Sequence, residues 1–223
     1  WWLWVFVTRT VTVYAIQPGR GYPQAVAVLG ADYRGVLVRD GWAPYRKLAQ
    51  ATHQTCLAHL LRRTHLLLET AQRGAARFPH AVRRLLLHAF ALRARRDAGM
   101  LTGHGLRVAL GRLQAATDRV LAGRIVHPPN RRLRQHLQTE RAALFTCLLR
   151  PDVAATNWQA EQAIRPAVVT RKVCGGNRTP DGAVTQQVLA SVLRTASQQQ
   201  RDPLALLVAL QRSPRPVVAD VTL

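Results

Sequence analysis

The chain has 223 residues, 48% of them hydrophobic, and carries 32 Lys and Arg against 11 Asp and Glu, a formal net charge of +21. This composition suffices for a packed core and excludes a disordered tail or a fibrous repeat. The longest purely apolar runs, Trp1–Val7 and Leu204–Leu210, are far shorter than the ~20 residues of a membrane-spanning helix. We therefore expect a folded protein that is not embedded in a membrane.

The excess of positive charge predicts a polyanionic partner. Lys47 and Lys172 are the only lysines, so nearly all of this charge is on arginine, whose guanidinium binds phosphate oxygens in a bidentate manner. The other explanation is a GC-rich genome that favours Arg codons, which would leave a small helical interaction protein. Salt-sensitive DNA binding separates the two, because affinity for phosphates falls steeply with salt.

The three cysteines, Cys56, Cys147 and Cys174, are widely spaced and form no Cys-x-x-Cys pair. This pattern indicates neither a disulfide framework nor a zinc ribbon, and the cytoplasm is the expected compartment. The chain opens at Trp1 in strand-like sequence without a signal peptide, so we expect the natural start to lie upstream.

The first elements are predicted in the order β, β, short α, β. Residues 1–16 are rich in Trp, Val, Thr and Tyr with a polar break at Thr8–Thr10, which predicts a β-hairpin. Gln24–Leu29 predicts a short helix, and Gly35–Arg39 predicts a buried strand. The carboxylate of Asp40 is therefore expected at the C-terminal end of a strand.

A helical block is predicted next, because apolar residues recur at helical spacing with arginines between them. Its predicted helices cover 57–71, 80–98, 106–121 and 131–149. No strand signal interrupts residues 56–149.

The C-terminal part is predicted to begin with a helix, since Thr156 and Gln159 form a capping box. One face of this helix carries a polar stripe of Asn157, Glu161 and Arg165. Pro166 is expected to stop or kink the helix. The remaining predicted elements are a basic, Gly-rich loop at 171–182 and two helices at 183–199 and 203–210.

Asp40 and Glu161 are the candidate catalytic and metal-binding residues. α/β sheets place active groups at strand ends, and Glu161 lies among basic and amide residues. Two such carboxylates together would bind Mg²⁺, and a pair of ions can assist both oxygens of a phosphoryl transfer. A structural role is the alternative: Asp40 starts a turn with Gly41, and Glu161 pairs with Arg165.

Two further motifs have weaker chemical meaning. His53, Cys56 and His59 could supply three zinc ligands, but no fourth ligand is evident, so packing and orientation near the site is the default interpretation. The loop at 171–182 suits a close approach of backbone amides to phosphate, but it lacks the spacing of a nucleotide-binding P-loop. The arginine pairs in the helical block suit either phosphate contacts or solvated helix faces: Arg62-Arg63, Arg95-Arg96 and Arg131-Arg132.

The most distinctive part of the sequence is the run LLRPDVAATNWQAEQAIRPAVVTRKVCGGNRTPDGA, followed by VLASVLRTASQQQRDPLALL. Together with GVLVRDGWAPYRKL and THQTCLAHLLRR, it resembles the catalytic domain of transposases of the insertion sequence 66 family. The resemblance spans nearly the whole chain. Its most specific part is the order Pro, Thr-Asn, Glu, Ile-Arg-Pro, Arg-Lys, Gly-Gly-x-Arg and Gly-Ala at matching intervals.

The resemblance implies an α/β fold: an RNase H-like mixed sheet with helices and a large all-helical insertion. The catalytic core would comprise residues 1–55 and 150–200, with its first strand missing. Residues 56–149 would form the helical segment that includes the insertion, and 201–223 a C-terminal helix and tail.

The resemblance also assigns residues of an Asp-Asp-Glu triad. Asp40 corresponds to the second Asp and Glu161 to the Glu, while the first Asp is expected on a strand before Trp1. Asp32 lies on the wrong side of the hairpin to replace it. The family usually has Asn-Asn and Glu-Arg where this chain has Asn157-Trp158 and Glu161-Gln162.

The implied function is DNA strand cleavage and strand transfer with two Mg²⁺ or Mn²⁺ ions, by a homo-oligomer on transposon-end and target DNA. The expected DNA-binding residues are Asn157, Arg165, Arg171, Lys172 and Arg178. Since the first Asp is absent, we expect these 223 residues to cleave DNA poorly. The alternative is a truncated or catalytically dead transposase that only binds DNA.

Overall fold

The computed structural model describes residues 1–213 and shows a mixed α/β protein in which helices predominate over short strands. The strands are β1 (Trp2–Val7), β2 (Thr12–Gln17), β3 (Val36–Arg39) and β4 (Thr52–Thr55). The α-helices are α1 (Tyr22–Leu29), α2 (Leu57–Thr70), α3 (Arg77–Asp97), α4 (Gly103–Ala122), α5 (Pro128–Thr139), α6 (Thr146–Leu149), α7 (Trp158–Cys174), α8 (Pro180–Gln198) and α9 (Pro203–Arg212).

The chain forms two compact units, which are described separately below. The hairpin unit comprises Trp1–Gly30 with residues 158–213, and the helical unit comprises Ala31–Asn157. None of the helices in residues 1–213 combines the length and the apolar character needed to cross a bilayer.

The hairpin unit contains the antiparallel pair β1–β2, in which Trp2 lies opposite Gln17 and Val7 opposite Thr12. This confirms the hairpin predicted from the β-branched and aromatic residues. Trp4 and Tyr14 are buried, and the Tyr14 hydroxyl donates a hydrogen bond to the Ala163 carbonyl of α7. The hairpin and α7 therefore share a small core.

Helix α8 satisfies the outer edge of β2 with side chains instead of a further strand. The backbone N–H groups of β2 donate as follows: Ile16 to Gln187 Oε1 at 2.8 Å, Tyr14 to Ser191 Oγ at 2.9 Å and Thr12 to Thr195 Oγ1 at 3.1 Å. The contacts involve every fourth residue of α8 and every second residue of β2. Four helical residues rise by about 6 Å and two strand residues by about 6.6 Å, so the spacings match closely enough for three successive contacts.

The helical unit contains the parallel pair β3–β4, with Val36 opposite Thr52 and Arg39 opposite Thr55. Strand β3 was predicted, but β4 was not. Its sequence, THQT, has no apolar pattern, and Gln54 and Thr55 are buried as hydrogen-bonding groups instead. The main core of the unit is formed by leucines from its helices and from the segment before α6: Leu57, Leu60, Leu86, Leu92, Leu113, Leu133, Leu144 and Leu148.

The predicted helix over 131–149 is wrong as one element, because it breaks after Thr139. At the break, Glu140 turns inward and is 1% exposed, while Leu144 and Phe145 pack into the core. Residues 141–143 form a single 3-10 turn instead, and the Glu140 carboxylate reaches Arg39 at the end of β3. The helix therefore resumes only at Thr146.

Helix α7 continues through Pro166, contrary to the expected stop or kink. The proline removes one backbone donor, but Ala163 and Ala167 on either side are buried in the hairpin unit. Packing therefore holds the helix across the missing bond. As a result, Arg171 and Lys172 lie in the last helical turn, and the predicted loop at 171–182 shrinks to residues 175–179.

We expect Thr195→Val to lower the free energy of unfolding by about 1–3 kcal/mol, because the buried N–H and C=O of Thr12 both lose their hydroxyl partner. Ser197→Ala is the control, since the exposed Ser197 hydroxyl donates to the Leu193 carbonyl of its own helix and its loss should cost less than about 0.5 kcal/mol. Urea unfolding of both variants measures the difference. Equal losses would show that the contact between α8 and β2 contributes little.

Candidate active site

Asp40 is the first residue after β3 and its side chain is exposed. Its Oδ1 accepts the backbone N–H of Trp42 at 2.9 Å, so the carboxylate is held by a local turn. Burial, and secondly the negative charge of Asp40, raise the pKa of Tyr45 to about 12. The turn of Asp40 with Gly41, predicted as the alternative to a metal-binding role, is therefore present. It leaves the Asp40 carboxylate accessible to solvent.

Gly41 allows the chain to turn sharply behind Asp40. Its φ is +90°, a conformation that residues with a Cβ rarely adopt. A Cβ here would also lie 2.9 Å from Cε1 of His136 on α5. The loop that follows Asp40 thus lies directly against α5.

A buried carboxylate, Glu140, organises the elements around Asp40. Its Oε2 lies 2.7 Å from Nη2 of Arg39, the last residue of β3, and accepts the hydroxyl of Thr55 at 2.6 Å. Its Oε1 accepts Nη1 of Arg46 at 3.0 Å. Burial raises the pKa of Glu140, but the hydrogen bonds from Arg39 and Thr55 and the charge of Arg39 outweigh it, so the pKa lies below its ordinary value.

His53 extends this network on the β4 side. Its Nδ1 accepts Nε of Arg39 at 3.1 Å, so the ring proton is on Nε2, which donates to the Leu48 carbonyl at 3.0 Å. Both ring nitrogens therefore have protein partners, and His53 has no nitrogen left for a metal ion.

Cys56 and His59 interact at the N-terminal end of α2. The Cys56 side chain is buried at the start of α2, and its Sγ accepts the backbone N–H of Asn157 at 3.5 Å. Burial raises the pKa of this thiol. The hydrogen bonds with His59 and Asn157 together lower the pKa by more than burial raises it, so the net shift is downward. Within residues 1–213 no three His, Cys, Asp or Glu side chains are grouped as metal ligands. The contacts of His53, Cys56 and His59 fit the default interpretation of packing and orientation.

Glu161 lies in the first turn of α7 and is exposed. A carboxylate suits this position because the N-terminal end of a helix carries a partial positive charge. Asp40 belongs to the helical unit and Glu161 to the hairpin unit. Their joint role in catalysis stays a prediction.

The predicted DNA-binding residues divide into two groups. Arg165, Arg171, Lys172 and Arg178 are all exposed on the hairpin unit. Asn157 differs from them: it precedes the first residue of α7 and belongs to the helical unit, and its Oδ1 is buried without a hydrogen-bond partner among the described residues. The polar stripe thus begins outside the helix, and the Asn157 oxygen does not face solvent.

The loop between α7 and α8 is ordered by its own polar groups. Gly175 and Gly176 have φ of +74° and +90°, and Asn177 Nδ2 donates to Gln186 Oε1. The Thr179 hydroxyl accepts the Gly182 N–H and begins α8. The loop holds the exposed Arg178 close to the end of α7.

Sequence reasoning missed Glu140 as the residue that links the elements around Asp40. The sequence around Glu140 contains no motif, because its partners come from β3, β4 and the turn at Ala43–Lys47, all distant in sequence. One signal was available: with 11 acidic residues against 32 basic ones, each carboxylate needs a reason to be present.

Comparison with known proteins gives one match to a family. The family model described as "Transposase IS66 family" matches residues 1–185 of the 223. No curated protein and no solved structure matches the chain.

We expect Glu140→Gln to lower the free energy of unfolding by about 3 kcal/mol, because it leaves the Arg39 guanidinium buried without its counter-charge. Glu69→Gln is the matched control, since that carboxylate is 54% exposed and its loss should cost less than about 0.5 kcal/mol. Chemical unfolding at neutral pH compares the two. A loss in Glu140→Gln no larger than in the control would contradict a structural role of this ion pair.

The lowered pKa of Glu140 also predicts a pH dependence. A carboxyl whose pKa is depressed in the folded state contributes stability above its ordinary value of 4.5, and the contribution is lost as the pH falls through the folded pKa. Unfolding free energies measured from about pH 6 down to about pH 3 should therefore converge between the wild type and Glu140→Gln. A constant difference over this range would show that Glu140 does not titrate as proposed.

Proposed function

Because the chain belongs to the IS66 family of transposases, we propose that it forms the DNA-cleaving and DNA-joining domain of an Asp-Asp-Glu transposase. The observation that carries the proposal is Asp40: an exposed carboxylate directly after a parallel strand, on a loop held against α5. Parallel sheets present catalytic groups at this end of their strands.

We propose that the two sheets are parts of one RNase H-like core. One is an antiparallel pair and the other a parallel pair, and in the described residues β1 and β3 each pair with a single neighbour. Each sheet therefore has an edge that a further strand could join. The proposed core lies in residues 1–55 and 150–200, and helices α2 to α6 then belong to the helical segment that includes the insertion.

The proposed metal ligands are Asp40 and Glu161. Both are exposed carboxylates, the hard oxygen donors that Mg²⁺ and Mn²⁺ prefer, so the donor chemistry fits. Two carboxylates supply only part of a six-coordinate shell, and water and DNA phosphate oxygens would complete it. When bound, a pair of such ions assists the attacking and the leaving oxygen of a phosphodiester displacement.

The protein's own residues position the Asp40 carboxylate and neutralise the charge of the DNA phosphates. The buried pair of Arg39 and Glu140 fixes the end of β3, so Asp40 starts from a rigid strand. The exposed cations of α7 and its loop, Arg165, Arg171, Lys172 and Arg178, suit the phosphates of transposon-end and target DNA. Phosphate contacts of this kind set the register of the DNA without reading its sequence.

We expect the 223-residue chain to bind Mn²⁺, and Asp40→Asn and Glu161→Gln each to weaken that binding at least tenfold. Titration of Mn²⁺ by electron paramagnetic resonance measures it without requiring turnover. Asp32→Asn is the matched control, because it removes an exposed carboxylate of the same helical unit outside the proposed site. Wild-type affinity in Asp40→Asn or Glu161→Gln would show that the residue is not a ligand.

The same four proteins should be assayed for nicking of a DNA duplex in Mg²⁺. The resemblance assigns two of three catalytic carboxylates to these residues, so we expect salt-sensitive DNA binding with little nicking. Efficient Mg²⁺-dependent nicking that both Asp40→Asn and Glu161→Gln abolish would show that the two carboxylates suffice. DNA binding without metal binding would favour the alternative, a transposase that binds DNA and no longer cuts it.

A further inference from the structure

A cluster of basic side chains lies beside Asp40 in the helical unit. We call Arg39, Arg46, Arg63 and His136 the basic cluster; they come from β3, the turn at Ala43–Lys47, α2 and α5. Four different elements therefore contribute to one small region.

The geometry of the cluster connects it to the loop after Asp40. Arg46 Nη1 lies 3.5 Å from the Gly41 carbonyl, and the His136 ring lies against the Gly41 Cα, where no side chain intervenes. Helix α2, which carries Arg63, packs against α5, which carries His136. The cluster thus borders the residue that follows the proposed catalytic carboxylate.

Positive charge in the cluster exceeds its buried negative charge. Arg39, Arg46 and Arg63 carry three positive charges, whereas Glu140 is the buried carboxylate that pairs with Arg39 and Arg46, and Asp40 is exposed beside them. Arg39 is 4% exposed, and its Nη1 is buried without a hydrogen-bond partner among the described residues. A buried donor without a partner is costly, and an arriving anion would compensate the excess charge.

The His136 ring reports the same field. Its pKa is lowered first by burial and then by the charge of Arg63, with further lowering by Arg46 and Arg39, while the charge of Glu140 raises it by less than Arg63 lowers it. The surroundings of His136 therefore have a positive potential even with Glu140 ionised.

Accessibility distinguishes the members of the cluster. The Arg46 side chain is 35% exposed, and Arg63 and His136 are half-buried, so an anion can reach them from solvent. Trp42, which follows Gly41 in the same loop, is also exposed and offers an apolar surface. Guanidinium groups beside an exposed aromatic ring suit a nucleic-acid backbone better than an isolated small anion.

We propose that the basic cluster is a binding site for one backbone phosphate of DNA, which it holds next to the loop that follows Asp40. This inference rests on the proposed function, which makes DNA the substrate, and it assigns a phosphate contact to residues of the helical unit. Arg63 and Arg46 are the direct contacts, and Arg39 and His136 supply the surrounding field.

The test compares the salt dependence of duplex binding in Arg63→Gln with that in the wild-type chain. Loss of one phosphate contact should reduce the slope of log affinity against log salt by about one and weaken binding several-fold at low salt. Arg112→Gln, which removes the same charge from an exposed position on α4, should keep the wild-type slope. Arg63→Lys keeps the charge and should retain most of the slope.

A local measurement on the wild-type chain does not depend on how the variants fold. The pKa of His136, followed by NMR of its ring during a pH titration, should rise when saturating duplex is present, because a phosphate opposes the field of the arginines. An unchanged pKa of His136, or an Arg63→Gln slope equal to that of the wild type, would overturn the proposed site.

The outcomes distinguish this inference from the proposed function. Duplex binding with the expected slope change but no Mn²⁺ binding at Asp40 would overturn the proposed catalysis and leave the phosphate site standing. Mn²⁺ binding at Asp40 with no slope change in Arg63→Gln would overturn the phosphate site and leave the proposed catalysis standing. A wild-type chain that binds no duplex would overturn both.

Discussion

The buried ion pair of Arg39 and Glu140 is the interaction on which the helical unit depends. Removing two charges from water is costly, and the cost is offset only when geometry and additional hydrogen bonds are good. Here Thr55 and Arg46 supply those additional bonds to Glu140. The pair joins the end of β3 to β4 and to the break after α5. The position of Asp40, one residue beyond Arg39, follows from it.

In this arrangement a rigidly held strand end is followed directly by an accessible carboxylate. Arg39 is fixed by Glu140 and His53, while Asp40 is exposed and accepts a backbone N–H from its own turn. Groups placed on strands and supported by locked neighbours keep their geometry better than groups on free loops. The basic surroundings add a positive potential next to a negative side chain, a combination suited to a substrate that brings its own negative charge.

Elements that depend on local residue patterns could be predicted from the sequence, whereas elements that depend on partners distant in sequence could not. The hairpin, β3 and most helices followed from periodicity, and the family resemblance was confirmed over residues 1–185. Strand β4 was missed because it is defined by pairing with β3 rather than by apolar residues. The break at Glu140 and the continuous helix at Pro166 were missed for the same reason: partners distant in sequence decide both. Asp40 and Glu161 were found at a strand end and on a polar helix face, but their joint chemistry depends on the resemblance.

The side-chain contacts between α8 and β2 also restrict how the hairpin can associate. An exposed strand edge is a template on which other chains can add strands, and such addition leads to aggregation. The outward N–H groups of Thr12, Tyr14 and Ile16 are already occupied by α8, so no foreign strand can pair there without displacing that helix. A long β-branched and aromatic hairpin is thereby protected on one side, and any growth of its sheet has to proceed through β1.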